Sequence, residues 1–444
     1  MSSNSSTAPK IIVLDDDPTG SQTVHSCLLL MRWDVDTLRL GLRDPSPIFF
    51  ILTNTRALPA KNADQITRDV CQNLKQAIAL ENLQDYLVVS RSDSTLRGHY
   101  PVETDAIAEV LGPFDAHFLI PAFFEGGRIT RDSTHYLKVD GRDVPTHETE
   151  FAKDSVFGYS TAYLPDYVAE KTQGQIAASQ VERMLLPEIR AGVLERLMQL
   201  TGNVCVAVDG ETQADLDRFA QDLLTAAAAG KKFLFRSAAS ILTALAALPS
   251  QPVAAAAMRQ YTRSRRPGAV IVGSHVKKST QQLNALLQLP RVAGIEVDVA
   301  QLQQAPDLTY PNLLRKTLEQ AQLAFEADKT PVIYTSREEL MFPDIASRLT
   351  FGSQVSALLM DIERGLPDDI GFLISKGGIT SNDTLSKGLA LQTARLLGQI
   401  LPGVSLVRTP ATHPQFPDLP VVLFPGNVGD IDALATVYQR LVSP

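Results

Sequence analysis

The stretch GFLISKGGITSNDT, residues 371–384, changes character abruptly in its middle. Phe372–Ile374 is a short apolar run, typical of a buried strand in a parallel sheet. It gives way to Ser375–Gly378, where a lysine and bare backbone replace apolar bulk. A helix is then predicted from leucines at helical spacing, namely Leu385, Leu389 and Leu396. A strand, a glycine turn and a helix are therefore expected here, as in an α/β fold.

The glycine pair in this turn is the first candidate for a ligand site. Gly377 and Gly378 let a backbone approach a ligand closely, and the N-terminus of the following helix would direct free amide groups toward it. Thr380, Ser381 and Asn382 add hydroxyl and amide groups. Phosphate is the anion that such a turn usually binds. The alternative is an ordinary tight turn, which also favours glycine.

The composition is that of an ordinary globular protein with more than one domain. With 444 residues, about two or three domains are expected. Hydrophobic residues make up 44% of the chain, charged residues 20%, and the net charge is -8. Such a chain offers no basic field to nucleic acid or to an acidic membrane surface. No apolar run reaches the ~18 residues of a membrane span, so neither nucleic acid nor a membrane is an expected partner.

The cysteines and the N-terminus point to a reducing compartment. Cys27, Cys71 and Cys205 are widely spaced and lie within or beside apolar segments. This pattern favours buried thiols over disulfides or a zinc site. Residues 1–9 are Ser-rich and lack the apolar core of a signal peptide, so they predict a disordered leader. We therefore expect a cytoplasmic protein.

A recurring pattern along the chain predicts the fold class. Short apolar runs end in polar clusters and are followed by helical stretches, which is typical of an α/β protein with mainly parallel sheets. In the first half the runs are Ile11–Leu14, Ile48–Leu52, Tyr86–Val89, Phe118–Ile120 and Val204–Val208. In the second half they are Ala269–Val272, Val332–Tyr334, Phe372–Ile374 and Val421–Phe424.

A stretch rich in proline and alanine separates the two series. It predicts a linker over residues 251–268, between a domain of residues 10–250 and a second domain of residues 269–444. Residues 136–175 are too irregular to assign beyond loop-rich cover. Ligands of parallel sheets bind outside the carboxyl ends of the strands, where the polar clusters lie. Two α/β domains with an active-site cleft between them are therefore expected.

The strand ends of the first domain carry two complementary sets of polar residues. The arginines offer forked donors suited to a carboxylate, and they are Arg56, Arg91, Arg97 and Arg128. Acceptors and hydroxyls suited to a sugar are Asp16, Asp17, Asp93, Asp132, Ser92, Ser94 and Thr95. A small polyhydroxy acid would satisfy both sets. The alternative is that these arginines and aspartates pair with each other in loop ion networks.

The second domain carries small residues suited to a nucleotide's phosphates. They follow its apolar runs and are Ser274, Gly377, Gly378, Thr380 and Gly426. The chain has no Walker-type glycine-rich motif. Ser279 with Gln282 forms a capping-box pattern at the start of a helix.

Together the two sets predict phosphoryl transfer from a nucleotide to a sugar-like acid. This chemistry needs Mg²⁺ to offset charge and a carboxylate near the attacking hydroxyl. Asp16, Asp17 and Asp93 are the candidates for that carboxylate, and no residue is assigned as a metal ligand.

Two other functions remain open at this point. Asp15–Thr19 contains Asp-x-Asp-x-Thr after a strand, which looks like the nucleophile motif of haloacid-dehalogenase-type phosphatases. Asp15 would then form a phospho-aspartate and Asp17 would act as the general acid. A non-catalytic sensor of sugar acids is the second alternative.

Several motifs in order resemble the four-carbon acid sugar kinase family along nearly the full chain. In the first domain they are DDDPTG, TNTR, SRSDSTLRGHYPVETDA and PAFFEGGRIT. In the second they are GSHVKKSTQQL, SKGGITSNDT, GQILPG and FPGNVGD. The resemblance implies an N-terminal domain that binds the acid, a C-terminal domain that binds ATP, and phosphorylation of the acid's terminal hydroxyl.

The resemblance also implies site residues, carried over by motif match. Those implied to contact substrate are Asp16, Asp17, Arg56, Arg91, Ser92, Asp93 and Ser94, with Asp16 and Asp93 as the catalytic pair. Those implied to contact nucleotide are Ser274, Gly377, Gly378, Ile379, Thr380 and Gly426. The family pattern is compatible with a homodimer.

Two departures from the family pattern concern the choice of acid. Pro18 replaces an aromatic residue common in the family, and the segment after Arg128 lacks a glycine often found before its tyrosine. Both lie beside the implied substrate residues. They bear on which acid is used more than on whether ATP is used. D-threonate is the preferred substrate, with erythronate and 3-oxo-tetronate as alternatives.

Overall fold

A computed structural model describes residues 8–18, 20–304, 306–337, 340–342, 344–426 and 428–442. The chain divides into two compact units, Met1–Pro249 (unit 1) and Ser250–Pro444 (unit 2). Both units are α/β, as predicted. Of the predicted disordered leader, residues 1–7 lie outside the described residues. Among the described helices, none combines the length and apolarity needed to cross a membrane.

Unit 1 is built on a parallel sheet. Its strands are β1 (Lys10–Asp15), β2 (Leu28–Leu30), β3 (Ile48–Leu52), β4 (Tyr86–Arg91), β5 (Ala116–Ile120), β6 (Arg128–Arg131), β7 (Thr134–Val139), β8 (Arg142–Pro145), β9 (Glu182–Met184), β10 (Val204–Val208) and β11 (Phe233–Ser237). The main sheet has the order β2-β3-β1-β4-β11-β5-β10-β9, with every pair parallel. β6, β7 and β8 form a separate antiparallel sheet.

Helices cover the main sheet of unit 1. They are α1 (Val35–Arg43), α2 (Ala60–Glu81), α3 (Val102–Leu111), α4 (Leu164–Lys171), α5 (Leu186–Ala191), α6 (Leu194–Gln199), α7 (Gln213–Ala228) and α8 (Ser240–Ala246). The central strands β1, β3 and β4 are almost wholly buried, which explains their continuous apolar sequences. One face of α2 buries Val70, Leu74 and Ile78 in the same core. The three cysteines are buried thiols outside any disulfide, as predicted.

Unit 2 has a mainly parallel sheet with an antiparallel extension. Its strands are β12 (Ala269–Val272), β13 (Val292–Val297), β14 (Thr330–Thr335), β15 (Leu373–Lys376), β16 (Thr393–Leu401), β17 (Val404–Arg408) and β18 (Pro420–Phe424). Within the unit their order is β13-β14-β12-β15-β18-β17-β16. β13 to β18 along this order are parallel, whereas β17 is antiparallel to both of its neighbours β18 and β16.

The helices of unit 2 include one that is shorter than predicted. They are α9 (Lys277–Leu287), α10 (Ala300–Gln304), α11 (Pro306–Glu326), α12 (Ile345–Arg364), α13 (Gly378–Asp383) and α14 (Ala433–Val442). α13 continues as a π-helix over Thr384–Gly388 and then ends. The long helix predicted from Leu385, Leu389 and Leu396 is therefore wrong, because Ala390 adopts a left-handed φ of 49° and Leu396 lies in β16. All three leucines are buried, so their spacing is compatible both with the predicted helix and with the observed π-helix followed by a strand.

The segment predicted as a linker belongs to unit 2. Residues 251–268 include a 3₁₀ helix over Ala255–Tyr261. Met258 of this helix is fully buried in the main hydrophobic core of unit 2, beside Phe372 and Tyr438. This stretch is therefore anchored to that unit through Met258, with Val253 and Tyr261 packed against the same core.

Candidate functional site

The parallel register of unit 1 brings three polar loops to one edge of the sheet. Asp15 at the end of β1 is paired with Leu52 on β3 and with Arg91 on β4. The loops that follow these strands carry Asp16, Arg56 and Asp93. Because parallel strands end at the same edge, the predicted substrate residues are assembled here.

Arg56 is the centre of this assembly. It donates to both carboxylate oxygens of Asp16, from Nη2 to Oδ1 and from Nε to Oδ2 over 3.2 Å. Its Nη1 donates to Asp17 Oδ2 at 3.3 Å and lies 3.9 Å from Asp93 Oδ1. Burial lowers the pKa of Arg56, but the three aspartates outweigh it and raise the pKa well above its ordinary value. A single guanidinium thus links three of the predicted site carboxylates.

Asp93 is held as an ionised carboxylate. Its Oδ2 accepts from Arg97 Nε at 2.8 Å and from the hydroxyl of Thr95. Burial raises the pKa of Asp93, but Arg56, Arg97 and the Thr95 hydroxyl together hold it well below its usual range. Among the described residues, its Oδ1 forms only a long ion pair, with Arg56 Nη1 at 3.9 Å. This oxygen remains available to a ligand.

Asp15 and Arg91 form a second, buried pair beneath the Arg56 cluster. Arg91 Nη1 lies 3.6 Å from Asp15 Oδ1, and both side chains are almost wholly enclosed. Burial raises the pKa of Asp15 to about 8, more than Arg91 lowers it. Asp15 has no solvent exposure, which argues against its role as the nucleophile of a phosphatase. Arg91, expected to contact substrate, instead faces the interior.

A buried network that the sequence analysis did not predict supports Asp16 from below. Arg236 on β11 donates to Glu103 Oε2 at 2.6 Å and to the hydroxyls of Ser90 and Ser92 at 2.8 Å each. Ser92 in turn donates to Asp16 at 2.6 Å. Glu103 lies within the motif that begins at Ser90, whereas Arg236 lies far from the motifs in sequence and is brought in by the insertion of β11 beside β4.

The loop that carries Ser94 is fixed by His135 and by two tyrosines from the region that the sequence left unassigned. His135 on β7 donates from Nε2 to the Ser94 carbonyl at 2.8 Å. The hydroxyls of Tyr159 and Tyr167 donate to the carbonyls of Thr95 and Leu96, each at 2.8 Å. Burial lowers the pKa of His135 to about 4, so it acts as a neutral donor. The signal in the sequence that could have indicated this supporting role is the presence of aromatic residues within an otherwise irregular segment.

The other polar residues of unit 1 have different positions. Arg97 pairs with Asp93 and lies 3.7 Å from Asp154. Arg128 donates to the carbonyl of Gly126. Asp132 lies in the turn between β6 and β7, where its backbone N–H donates to Asp209. It is therefore not part of the cluster around Arg56.

In unit 2 the predicted nucleotide residues gather where β12, β15 and β18 end. Ser279 on α9 donates to the Ser274 hydroxyl at 3.0 Å and to the Gly426 carbonyl at 3.1 Å. A Cβ on Gly377 would lie 3.2 Å from Ser274 Cβ and 3.0 Å from the hydroxyl of Thr380. These contacts join the three loops into one small-residue surface.

The glycines of this surface have two different physical roles. Gly377 adopts a φ of 126°, which side-chain-bearing residues rarely adopt, so the turn itself requires it. A Cβ on Gly378 would meet no described atom within 4 Å. Ile379 beside it is 70% exposed, although it is a large apolar residue. Gly378 and Ile379 therefore border open space, as a nucleotide site requires.

Buried side chains donate hydrogen bonds to the carbonyls of the loop that follows β18. Lys376 donates to the carbonyls of Pro425 and Gly426 at 2.5 and 3.0 Å. Gln282 donates to the carbonyls of Val428 and Asp430 at 2.9 and 2.7 Å. Burial lowers the pKa of Lys376 to about 7, so it is a donor that loses its charge near neutral pH.

The predicted capping box is wrong. The residue that precedes α9 is Val276, so Ser279 and Gln282 lie inside the helix. Their side chains face the loop after β18 and hold its carbonyls. The polar pair thus supports the small-residue surface.

Arg337, which the sequence analysis left without a role, fixes a further part of this surface. It donates to the carbonyls of Ser274 and Thr335, each at 2.7 Å, and to the Thr335 hydroxyl at 2.6 Å. It therefore ties the end of β12 to the end of β14. Among the described residues, no group of three or more His, Cys, Asp or Glu side chains could hold a metal ion.

Two family models match the chain, one in each unit. Residues 11–245 match a sugar-binding N-terminal domain, and residues 269–434 match a nucleotide-binding C-terminal domain. The chain therefore belongs to the class of proteins that combine these two domains. Within that class it is a member of the four-carbon acid sugar kinase family.

Two curated relatives are similar at low identity. A D-erythronate kinase of Heliobacterium modesticaldum is 23% identical over 459 aligned positions, covering 98% of this chain and 97% of the relative. A D-threonate kinase of Bordetella bronchiseptica is 27% identical over 221 positions, covering 48% of this chain and 49% of the relative.

Two solved structures share the fold. A protein of Salmonella typhimurium LT2 described as a putative tRNA synthase has a TM-score of 0.71 and 18% identity, covering 97% of this chain and 98% of its own. A Haemophilus influenzae protein has a TM-score of 0.65 and 17% identity, covering 97% and 100%. At such identities the likeness supports the α/β architecture and nothing finer.

Proposed function

We propose that this protein is an ATP-dependent kinase that phosphorylates the terminal C4 hydroxyl of a four-carbon sugar acid, with D-threonate as the first candidate. One observation carries the proposal: two chemically different sites lie in the two matched domains. The aspartates around Arg56 fall within the sugar-binding match, and the small-residue surface at Gly378 falls within the nucleotide-binding match.

The aspartate cluster suits the hydroxyl groups of a sugar acid. Asp17 and Asp93 keep partly exposed carboxylates at the strand ends, with 24% and 15% of their side chains accessible. Carboxylate oxygens accept hydrogen bonds from hydroxyls. Arg56 already binds the carboxylates of Asp16 and Asp17, so these two acceptors are held in position before a ligand arrives.

The small-residue surface suits the phosphates of ATP. Open space above Gly378 admits a close approach to the backbone, and Ser274 and Thr380 supply hydroxyls beside it. Mg²⁺ would be carried largely by the phosphates and water, as is usual for this ion. When bound, it would offset the negative charge of the phosphates.

The reaction requires one bond to form and one to break. The C4 oxygen of the acid attacks the γ-phosphorus, the bond from that phosphorus to the β–γ bridging oxygen breaks, and ADP leaves with the electron pair. The hydroxyl proton passes to a carboxylate, for which Asp93 Oδ1 and Asp16 are the candidates. A weakly basic carboxylate is adequate because such transition states need little help from a base.

The test is a panel of four-carbon acids with ATP and Mg²⁺, followed by ADP release and by phosphorus NMR of the product. We expect ADP only when an acid is present, and a phospho-ester at C4. Saturable binding of an acid without ADP would support the sensor instead. Release of phosphate from a phospho-ester without nucleotide would support a phosphatase.

D-erythronate is the second candidate, because the relative bearing that name matches nearly the whole chain. The relative named for D-threonate matches about half of it at higher identity. The two acids differ only in configuration at C2. The kcat/KM ratio for the two acids in the same panel decides between them.

A further inference from the structure

Of the four arginines that the sequence predicted at the strand ends of unit 1, three already have carboxylate partners. Arg56 binds Asp16 and Asp17. Arg91 pairs with Asp15, and Arg97 pairs with Asp93. For Arg128, no ion pair is found among the described residues, and the Nε atom is buried without a hydrogen-bond partner there. Arg91 Nε is also buried without a hydrogen-bond partner, but Arg91 lies 3.6 Å from Asp15, so Arg128 is the one of these four arginines without a carboxylate partner among the described residues.

The loop before β6 holds this guanidinium in a built position. Phe123 and Arg128 exchange both backbone hydrogen bonds, at 2.9 and 3.0 Å, which closes a tight loop. Arg128 Nη1 donates to the carbonyl of Gly126, and the guanidinium lies 5.9 Å from the centre of the Phe123 ring. The side chain is thus oriented by the loop without a carboxylate of the protein.

Each of the two glycines in this loop is needed for a specific structural reason. A Cβ on Gly126 would lie 2.3 Å from Arg128 Nη1 and 2.5 Å from the Phe123 ring, so a side chain there would displace the guanidinium. Gly127 has a left-handed φ of 72°, which the reversal of the chain requires. The sequence of the loop is therefore matched to the position of Arg128.

The electrostatic surroundings also favour an anion at this position. Burial lowers the pKa of Arg128, the nearby Asp93 raises it, and Arg97 lowers it. Asp93 is itself paired with Arg97 and approached by Arg56, so it does not neutralise Arg128 as well. A partly buried cation without a partner is unfavourable, and a carboxylate with two oxygens matches the fork of a guanidinium.

We propose that Arg128 binds the carboxylate of the acid substrate, an inference that rests on the proposed function. The aspartates around Arg56 would then bind the hydroxyls. Among the arginines that the sequence offered for the carboxylate, Arg56 is less suited because Asp16 and Asp17 occupy its donors. This assignment makes Arg128 the residue that distinguishes an acid from a neutral polyol.

The experiment compares Arg128→Met with the wild type by calorimetry in the absence of ATP. D-threonate and D-erythronate are the charged probes, and the corresponding tetritols are the neutral ones. We expect the Kd for the acids to rise about 10- to 100-fold, as for loss of a charge-assisted contact, with no change for the tetritols. In turnover, KM for the acid should rise while KM for ATP stays constant.

Arg131→Met is the matched control. Arg131 lies on the same strand, but it is paired with Asp143 and Glu211. We expect this variant to bind acids like the wild type. Arg128→Lys keeps the charge without the fork and should bind with intermediate affinity. Thermal melting without ligand shows that each variant is folded, and Arg128→Lys serves in place of Arg128→Met if the latter does not fold.

The outcomes separate this inference from the proposed function. If the wild type phosphorylates an acid and Arg128→Met keeps the same Kd and KM for it, the assignment of Arg128 is wrong and the kinase proposal stands. If acid binding depends on Arg128 but no ADP forms, the assignment stands and the kinase proposal is wrong. If the wild type binds none of the acids, both are wrong.

Discussion

Ser92 Oγ donates a hydrogen bond of 2.6 Å to Asp16 Oδ2 and so joins the surface of the unit 1 site to its interior. On the inner side, Ser92 accepts from Arg236, which is paired with Glu103. On the outer side, Asp16 holds Arg56 through both of its oxygens. Asp16 is only 2% exposed, and it positions Arg56 and, through Arg56, the other carboxylates.

The first prediction concerns Asp16→Asn. The amide keeps the size of the carboxylate but turns one acceptor toward Arg56 into a donor, so Arg56 loses its bidentate partner. We expect kcat for acid phosphorylation to fall by about 100-fold or more with the fold retained. Asp64→Asn on α2, which loses only a surface pair with Arg68, should retain wild-type kcat. Wild-type turnover by Asp16→Asn would remove Asp16 from the site.

The second prediction concerns the buried pair of Glu103 and Arg236. Each side chain is 5% exposed, so removing one partner leaves an uncompensated charge in the interior. Arg236→Met should lower the free energy of unfolding by about 3–5 kcal/mol, measured by urea denaturation. Arg291→Met, which removes an exposed pair with Asp328, should change it by less than about 1 kcal/mol.

A double variant tests the cause of that loss. Glu103→Leu combined with Arg236→Met removes both charges, so it should recover part of the stability lost in Arg236→Met alone. Additive losses in the double variant would mean that the two side chains do not act as a pair.

The strand pattern predicted the fold well because it depends on burial within parallel sheets. β1, β3 and β10 are buried almost throughout and end in polar residues, which is what the apolar runs indicated. The order of the strands was not predictable. β11 lies between β4 and β5 although it follows β10 in the chain. The insertion of a strand between two others leaves no periodic pattern in the sequence from which it could be predicted.

The candidate site was partly predictable for the same reason. Asp16, Arg56 and Asp93 follow neighbouring strands, so their proximity followed from the fold class. The sequence did not show whether an arginine is already paired with a carboxylate of the protein. Arg91 and Arg128 both follow apolar runs, but Arg91 is paired with Asp15 and Arg128 donates to a backbone carbonyl. The hydrogen bonds from side chains such as Tyr159 to loop carbonyls could not be predicted from the sequence either. Every residue has a backbone carbonyl, so the residue that accepts such a bond carries no signal in the sequence.

The third prediction separates the roles of the two glycines in unit 2. Gly377→Ala should destabilise the fold by about 1–3 kcal/mol, because its φ of 126° strains any side-chain-bearing residue. Gly378→Ala should melt like the wild type, because its Cβ meets no described atom. If phosphates occupy that space, KM for ATP should nevertheless rise about 10-fold, with KM for the acid unchanged.

Gly352→Ala on α12 is the matched control, since a Cβ there also meets no described atom. We expect unchanged KM values for both substrates in this variant. An unchanged KM for ATP in Gly378→Ala would mean that the nucleotide does not approach the backbone at Gly378.

The fourth prediction rests on Glu363, a fully buried carboxyl on α12. It accepts from the Thr384 hydroxyl at 2.8 Å, below the π-helix that follows the glycine turn. Burial raises the pKa of Glu363 to about 8, and the nearby Asp383 raises it further, while Thr384 and Arg364 lower it. A Cβ on Gly388 would lie 2.2 Å from Glu363 Oε1, so a glycine is needed where the π-helix ends.

The sign of the pH effect follows from these values. The folded state holds the proton of Glu363 up to about pH 8, whereas the unfolded chain releases it near its ordinary pKa of 4.5. The stability contributed by Glu363 is therefore complete below pH 4.5 and is lost as the pH rises toward 8. Glu363→Gln cannot ionise, so it should match the wild type near pH 4.5 and exceed its free energy of unfolding by on the order of 3 kcal/mol at pH 7. Urea denaturation at several pH values measures this difference, with the exposed Glu319→Gln as control. A constant difference from pH 5 to 8 would mean that Glu363 is ionised in the folded protein.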